Sequence, residues 1–374
     1  MTTMTRSADM TLRLALAAAL ATGSAGASAA TLAVGGNGAY ATLTEASRDA
    51  KAGDTIVLAP GIYAGARFHA DGLTIRAAAN AVPGSVVVNG DTVAGKGLFV
   101  IAGDDVTIAG LTFEGARAAD GNGAGIRAEG RNLSVTDARF IGNEMGILAN
   151  SVGGVLTVRR SRFTETASRA PDRVGHAVYA NGIARLVVTG STFERGARGH
   201  YIKSRALDTR ITGNRIDDTN GSASYLIDLP EGGAATISGN LLVKGPNPDN
   251  CCTAIAYGFE MRKGGSYVNP PGPVRVSGNR FVNRSPGIVT FFVNRSVPAN
   301  AATLSDNELV EEQGPIVAAT GRATVNGEAA ATSYISNAAT FAEMALKPPM
   351  SGIFALLGFG LAGIIVGRRK PATR

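Results

Sequence analysis

The segment Leu186-Val-Val-Thr-Gly-Ser-Thr-Phe193 shows the pattern that decides the fold: alternating apolar residues, a turn residue and a final apolar residue. The same pattern returns as Thr209-Arg-Ile-Thr-Gly-Asn-Arg-Ile216 and as Ala235-Thr-Ile-Ser-Gly-Asn-Leu-Leu242. Five further copies are Val106–Phe113, Leu133–Phe140, Leu156–Phe163, Val274–Phe281 and Ala302–Leu309. Alternation with a period of two, rich in β-branched residues, predicts two short strands joined by a turn in each copy.

The central apolar residues of these copies lie between 23 and 39 residues apart. They are Ile108, Val135, Val158, Val188, Ile211, Ile237, Val276 and Leu304. A unit of this size cannot bury its own apolar face, so successive units must stack. Short strands with irregularly spaced turns predict an all-β fold, a right-handed parallel β-helix, rather than a leucine-rich repeat or a propeller. We expect the central residues from Ile108 to Ile237 to form one inward file.

The composition agrees with a turn-rich globular fold and excludes several classes of protein. The 374 residues include 49 glycines without a three-residue period, 45% hydrophobic residues and 17% charged residues, which excludes collagen and general disorder. Cys251 and Cys252 are the two cysteines, too few for a disulfide framework or a tetrahedral zinc site. They form either a vicinal disulfide or two buried free thiols.

The N-terminus has the pattern of a secretory signal peptide. Arg6 and Arg13 precede an apolar run over residues 14–21, and small residues continue to Ala29. This order is typical of a signal peptide with a small-x-small cleavage site. We therefore expect residues 1–29 to direct export.

The C-terminus has the pattern of a membrane anchor. The apolar run Ile353–Val366 is followed by Arg368, Arg369 and Lys370, which favours a transmembrane helix with its basic end in the cytoplasm. With Pro348-Pro349 before it, the tail partly resembles the PEP-CTERM sorting signal of Gram-negative bacteria. A permanent anchor and a cleaved sorting signal both stay open. Either one predicts a membrane-attached protein in the periplasm or on the cell surface.

These ends divide the chain into four predicted parts. They are a signal peptide over 1–29, a β-helix domain over 30–325, a linker over 326–350 and a membrane anchor or sorting tail over 351–374.

A short helix precedes the repeats and carries a family resemblance. It is expected over Tyr40–Gly53, where Thr42 and Glu45 make a capping box and Gly53 ends the helix. The strands Gly53-Asp-Thr-Ile-Val-Leu58 and Pro60-Gly-Ile-Tyr63 follow. This segment resembles the N-terminal cap of the pectate-lyase-like superfamily, and the resemblance extends over about residues 33–325. It implies the fold far more than the activity.

The charge favours a glycan over a nucleic acid. Of the formal net charge of +7, the two ends contribute +1 and +4, so nucleic-acid binding is not expected. Residues 159–215 nevertheless carry four anions and twelve cations: Arg159, Arg160, Arg162, Arg169, Arg173, Arg185, Arg195, Arg198, Lys203, Arg205, Arg210 and Arg215. In stacked coils this basic belt would attract an acidic polysaccharide. The alternative is that these arginines are solvent-exposed turn residues without a role in binding.

The segment Gly199-His-Tyr-Ile-Lys-Ser-Arg-Ala206 lies within the belt and contains the predicted catalytic residues. Alternation places Tyr201, Lys203 and Arg205 outward on one face. A like-charged neighbour lowers the pKa of a lysine, so Lys203 is expected to be a base. His200 is a further catalytic candidate.

The neighbouring coils are expected to supply substrate contacts. His176-Ala-Val-Tyr179 aligns one coil earlier and Tyr225-Leu-Ile-Asp228 one coil later. Tyr179, Tyr201 and Tyr225 would then form an aromatic strip for sugar stacking. His176 and His200 begin adjacent coils, either as site residues or as turn residues.

An insertion over residues 246–273 is expected to build part of the binding face. Its candidate substrate contacts are Tyr257 and Arg262, and Glu260 is a candidate acid or cation ligand.

The run from Ile202 to Asn240 resembles the central coils of the alginate lyase and chondroitinase B family. Its matching parts are Lys203-Ser204, Gly213-Asn214, Gly221-Ser222 and Gly239-Asn240. The resemblance implies that Lys203 is the base and that calcium neutralises the uronate carboxylate, with Asp228 and Glu260 as candidate ligands. The family's Arg-His-Gly reads Ile227-Asp228-Leu229 here, so Arg205 would have to replace the assisting arginine.

These features together predict an exported β-helix that binds an acidic, uronate-containing polysaccharide and cleaves it by β-elimination. A uronate C5-epimerase shares the first step of that reaction. A non-catalytic glycan-binding surface protein is the alternative from another class.

Overall fold

The repeated strands stack into a parallel β-helix of about ten coils. The computed structural model describes residues 28–170, 172–260, 269–296 and 302–330. Over these ranges the chain passes in turn through three sheets, here named A, B and C, so that each coil adds one strand to each sheet. Stacking in this way packs the inward apolar residues of one coil against those of the next.

The three sheets are built as follows. Sheet A contains Thr31–Val34, Thr55–Leu58, Thr74–Ala77, Thr107–Ala109, Leu133–Thr136, Val155–Arg159, Arg185–Thr189, Asp208–Thr212, Gly233–Ser238, Pro271–Ser277, Ala302–Ser305, Ala323–Val325 and Glu328–Ala329. Sheet B contains Gly61–Tyr63, Val86–Val88, Thr112–Glu114, Arg139–Ile141, Arg162–Thr164, Thr192–Glu194, Arg215–Asp217, Leu241–Lys244, Arg280–Asn283 and Glu308–Glu311. Sheet C contains Ala66–Phe68, Gly97–Ile101, Ala124–Ala128, Met145–Ala149, His176–Ala180, His200–Ser204, Ile227–Leu229, Thr253–Tyr257, Val289–Asn294 and Ile316–Thr320.

The predicted inward file is confirmed in sheet A. Register pairs join Ile108 to Val135, Val135 to Val158, Val158 to Val188, Val188 to Ile211 and Ile211 to Ile237. All six side chains are fully buried. Each repeat therefore contributes one strand to sheet A and, after its turn, one strand to sheet B.

The Gly-Asn turns between sheets A and B form a buried asparagine ladder. Asn214 Nδ2 donates to the Val188 carbonyl at 2.9 Å, and Asn240 Nδ2 donates to the Ile211 carbonyl at 2.9 Å. Asn240 Oδ1 in turn accepts the Asn214 backbone N–H at 2.8 Å. The preceding Gly213 has φ +64°, a left-handed conformation that favours glycine. These contacts satisfy backbone groups that the turn would otherwise bury without partners.

One helix, Leu43–Asp49, lies between the first two strands of sheet A. Thr42 is its N-cap, and Thr42 Oγ1 accepts the Glu45 N–H at 3.2 Å while Glu45 Oε2 accepts the Thr42 N–H at 3.0 Å. The helix has its C-cap at Ala50, three residues before Gly53. Leu43 and Ala46 are buried in the core.

Part of the predicted insertion is a regular strand of the solenoid. Thr253–Tyr257 pairs in parallel with Ile227–Leu229 on one side and with Val289–Asn294 on the other. Residues 246–273 are therefore not wholly an insertion, because this stretch supplies the next strand of sheet C. Cys251 and Cys252 are joined by a disulfide in the turn that precedes the strand.

Several sequence-based predictions lie outside the described residues. They concern the signal peptide through residue 27, the linker after residue 330, the tail over 351–374 and Arg262. Among the residues that are described, no helix is long and apolar enough to cross a membrane.

Candidate functional site

The outer face of sheet C brings the central candidate residues together. Parallel register places Tyr179 beside Lys203 and Lys203 beside Asp228 in three successive coils. Lys203 Nζ lies 3.1 Å from Asp228 Oδ2 and 2.7 Å from Glu260 Oε1. The Lys203 side chain is only 10% exposed, and that of Asp228 only 2%. The Lys203 ammonium thus lies between two carboxylates and is largely buried on the outer face of sheet C.

Arg205 follows the same strand and completes the cluster. Its guanidinium pairs with Glu231 and with Glu260, and its Nε donates to Tyr179 Oη at 2.9 Å. Glu260 therefore bridges the two cations, with one carboxylate oxygen on Lys203 and the other on Arg205. Charge-assisted hydrogen bonds of this kind hold both cations in position and direct them at the Glu260 carboxylate.

The electrostatics of Lys203 oppose the sequence-based prediction. Burial by itself lowers the pKa of Lys203, but the charge of Asp228 and the hydrogen bond and charge of Glu260 outweigh it and raise the pKa. Arg205 does lower the pKa of Lys203, but the predicted net lowering is wrong because two carboxylates at hydrogen-bond distance have a larger effect than one like charge. Lys203 is therefore an ammonium at neutral pH.

The carboxylates of the cluster respond in opposite directions. Burial raises the pKa of Asp228 to about 6, against the opposing charge of Lys203. Burial would also raise the pKa of Glu260, but the hydrogen bonds and charges of Lys203 and Arg205 lower it. Glu260 is therefore ionised at neutral pH, whereas the pKa of Asp228 is shifted toward neutrality.

His176, His200 and Tyr225 form a stacked file beside this cluster. The ring centroids of His176 and His200 are 5.1 Å apart, and those of His200 and Tyr225 are 4.8 Å apart. His176 Nδ1 accepts the His200 backbone N–H, and His200 Nδ1 accepts the Tyr225 backbone N–H, both at 3.1 Å. His200 Nε2 lies 3.4 Å from Asp228 Oδ2. Nδ1 of His200 is therefore occupied by a backbone N–H, and its Nε2 faces the carboxylate of Asp228.

Burial makes the stacked histidines sensitive to acid. Burial, with a smaller effect of Lys203, lowers the pKa of His176 to about 3, and burial also lowers the pKa of His200. The unfolded chain therefore binds more protons than the folded chain below pH ~6.5, so stability falls as the pH falls through this window.

Replacing His176→Asn is expected to flatten this pH dependence. Asparagine keeps an acceptor for the His200 N–H but cannot be protonated. The variant should therefore be less stable than the wild type at pH 7, and this difference in the free energy of unfolding should shrink by about 2 kcal/mol near pH 4.5. Urea unfolding of both proteins across this range measures the gap, and His69→Asn, at an exposed histidine, is the control. Parallel curves would contradict the burial of a neutral His176.

Tyr201 and Tyr257 do not face the site. Tyr201 is 2% exposed and its Oη donates to Asp218 Oδ1 at 2.8 Å, and the fully buried Tyr257 donates to the Gly233 carbonyl at 2.8 Å. The prediction of an outward Tyr201 is wrong because both Tyr201 and Ile202 point inward where the chain turns into sheet C. The aromatic strip is reduced to Tyr179 and Tyr225.

Small residues hold the position of Tyr201 in the preceding coils. They are Gly125, Gly146 and Ala177. This substitution pattern is the signal that identifies an inward corner position.

The basic belt does not form one basic face. Arg185 and Arg210 lie on sheet A, Arg162 and Arg215 on sheet B, and only Lys203 belongs to a strand of sheet C. Within the described residues, at least nine of the twelve cations form ion pairs. Seven of these pairings lie outside the site: Arg160–Asp137, Arg162–Glu194, Arg173–Asp172, Arg185–Asp208, Arg195–Glu165, Arg210–Asp208 and Arg215–Asp217. The belt encircles the solenoid and is largely neutralised, which leaves Lys203 and Arg205 as the converging cations.

The residues proposed for calcium do not fit that ion. Calcium takes six to eight oxygen ligands. Asp228 and Glu260 instead both direct an oxygen at the Lys203 ammonium, and the described residues contain no group of three or more His, Cys, Asp or Glu side chains arranged for a metal.

Glu231 is a site residue that the sequence analysis does not identify. It lies in the turn after strand Ile227–Leu229, and its partner Arg205 is 26 positions earlier in the chain. A single glutamate in a turn has no sequence pattern that distinguishes it from a solvated one.

Comparison with known proteins supports the architecture. A family model described as "Right handed beta helix region" matches residues 96–269. No curated protein sequence is significantly similar. The structure is similar to that of an alginate lyase from Paenibacillus sp. str. FPU-7, with 18% identity, a TM-score of 0.50, and coverage of 79% of this chain and 99% of the lyase. It is also similar to a PL6-family alginate lyase, with 18% identity and a TM-score of 0.48, over 76% of this chain and 40% of that one.

Structural matches at identities this low show only that the folds are similar. That similarity agrees with the stacked parallel strands and with the family model. The protein is thus a right-handed parallel β-helix whose fold is similar to that of an alginate lyase.

Proposed function

We propose that this protein binds an acidic polysaccharide on the outer face of sheet C and cleaves it by β-elimination at Lys203 and Arg205. The observation that carries the proposal is the convergence of these two cations on a single carboxylate, that of Glu260. Both are largely buried, so their attraction for a carboxylate is less screened than that of a surface pair. The similar fold of an alginate lyase agrees with a polyuronate as the substrate class.

The two cations have a specific role in this reaction. Removal of the proton at C5 of a uronate places negative charge on the adjacent carboxylate. Lys203 and Arg205 neutralise that charge. Electrostatic stabilisation of a developing charge is usually the largest single contribution to lowering the activation barrier. The raised pKa of Lys203 suits this role better than the role of base that the family resemblance implies.

Tyr179 is the group placed to move the proton. Its Oη accepts a hydrogen bond from Arg205 Nε at 2.9 Å, so the oxygen lies beside a cation that neutralises the uronate carboxylate. The proposed step uses Tyr179 with its Oη deprotonated: the C5 proton passes to that oxygen, the C4=C5 double bond forms, and the C4–O4 electron pair leaves on O4. The leaving oxygen then takes the proton from Tyr179, so atoms and charge balance.

A non-catalytic glycan-binding protein is the second candidate. It is favoured by the position of the family's Arg-His-Gly, which is occupied by Ile227, Asp228 and Leu229. Ile227 and Leu229 are buried apolar side chains, and Asp228 is a buried carboxylate. This coil therefore lacks the arginine that assists the family's reaction, although the same face could still hold a polymer.

Incubation with alginate, pectate and glycosaminoglycans distinguishes the candidates. The lyase proposal predicts that one acidic polymer yields ultraviolet absorbance from unsaturated uronates, whereas a neutral glucan of similar length yields none. Deuterium uptake at C5 without absorbance would instead indicate an epimerase. Binding without either signal would indicate the non-catalytic alternative, and no binding to any uronate polymer would refute the proposal.

A further inference from the structure

Glu260 differs from the other carboxylates of the site in its exposure. Its side chain is 46% exposed, against 2% for Asp228 and 13% for Glu231, and the side chains of its partners Lys203 and Arg205 are 10% and 15% exposed. It follows strand Thr253–Tyr257 and lies outside the sheet, where its backbone N–H donates to the Pro230 carbonyl at 3.0 Å. An exposed carboxylate thus covers two largely buried cations.

The two cations are held in place by other partners as well. Lys203 is bound by Asp228, which is buried beneath it, and Arg205 by Glu231 and by Tyr179 Oη. Departure of the Glu260 side chain would therefore leave the positions of both cations defined. The arrangement would then be a preorganised receptor for a carboxylate.

The charge balance decides how an anionic ligand can bind there. Three carboxylates, those of Asp228, Glu231 and Glu260, already surround the two cations. A further carboxylate added to this cluster would meet an excess of negative charge at short range, which is unfavourable. A ligand carboxylate binds well only if one of the three leaves, and Glu260 is by far the most exposed.

We infer that Lys203 and Arg205 form a carboxylate-binding site which Glu260 fills, and that a uronate carboxylate of the substrate takes the place of Glu260. This inference rests on the proposed function, because it names the group of the polysaccharide that this site recognises. Because Glu260 competes with the ligand, the apparent association constant for a carboxylate is the intrinsic constant multiplied by the fraction of molecules in which the site is open.

Replacing Glu260→Gln is expected to strengthen the binding of a simple uronate. The variant removes the competing charge while the side chain stays similar in size, so D-glucuronate should bind about tenfold more tightly or better than to the wild type. D-glucose, which lacks the carboxylate, should show no gain. Calorimetry or ligand-observed NMR on the purified protein measures both, and Glu260→Ala provides a second variant if the glutamine still covers the cations.

Glu129→Gln is the matched control. Glu129 also bridges an arginine and a lysine, Arg67 at 2.8 Å and Lys96, and it too follows a strand of sheet C. A general effect of removing one negative charge would strengthen binding in both variants, whereas the inferred site predicts a gain only for Glu260→Gln.

The outcomes separate this inference from the proposed function. A glucuronate gain without polymer cleavage would support the carboxylate site and refute the lyase reaction. Polymer cleavage by the wild type with equal glucuronate affinity in the wild type, Glu260→Gln and Glu260→Ala would refute the inference alone. Failure of every variant to bind glucuronate, together with no cleavage, would refute both.

Discussion

Val188→Asp is expected to prevent the solenoid from folding. Val188 is fully buried and stacks between Val158 and Ile211 in the inward file of sheet A. A carboxylate at this position would have no partner among aliphatic neighbours, a change that costs more than about 4 kcal/mol. Because each coil is stabilised by its neighbours, the loss also disrupts the coils on both sides. Soluble yield and far-ultraviolet circular dichroism measure the result.

Arg185→Ala is the control on the same strand. Arg185 faces outward and its Nε lies 2.8 Å from Asp208 Oδ2, with 46% of the arginine side chain exposed. An exposed ion pair contributes about 1 kcal/mol or less, so this variant should fold with a nearly unchanged urea midpoint. A folded Val188→Asp protein with a similar midpoint would contradict the register of the inward file.

The sequence predicts sheets A and B well because the repeat consists of those two strands and the turn between them. Val188 and Phe193 hold fixed positions in the repeat, and stacking places the equivalent residues of each coil in line. The strands of sheet C have no shared turn motif. For this reason strand Thr253–Tyr257 is mistaken for part of a loop, and the inward corner at Tyr201 is missed.

The candidate site lies on the sheet that the repeat describes least. Lys203 and Arg205 can be identified from their spacing in the sequence, but the sequence predicts a lowered pKa for Lys203 where the structure raises it. The decisive partners are Asp228 and Glu260, which are 25 and 57 residues later in the chain and are brought close only by stacking. Local patterns show which side chains share a face, whereas ion pairs between coils depend on the loops that connect them.

Lys203→Ala is expected to reduce polysaccharide cleavage by about 100- to 1,000-fold, because the variant loses one of the two charges that stabilise the developing negative charge. It also leaves Asp228 buried without its cation, a change that destabilises the cluster. The rate of unsaturated product formation, measured as kcat and KM separately, checks the loss. Arg160→Ala, which removes an exposed arginine paired with Asp137 at a turn between sheets A and B, should retain wild-type activity.

Lys203→Arg distinguishes neutralisation from proton abstraction by the same residue. A guanidinium keeps the positive charge but does not release its proton at neutral pH. If Lys203 neutralises the carboxylate, the arginine variant should retain measurable turnover and exceed Lys203→Ala. If Lys203 is the base, both variants should be equally inactive.

Tyr179→Phe completes the comparison, since loss of the phenolic oxygen should abolish turnover while glucuronate binding at Lys203 and Arg205 persists. Full activity of Lys203→Ala on a confirmed substrate would contradict both roles and place the reaction elsewhere on the solenoid.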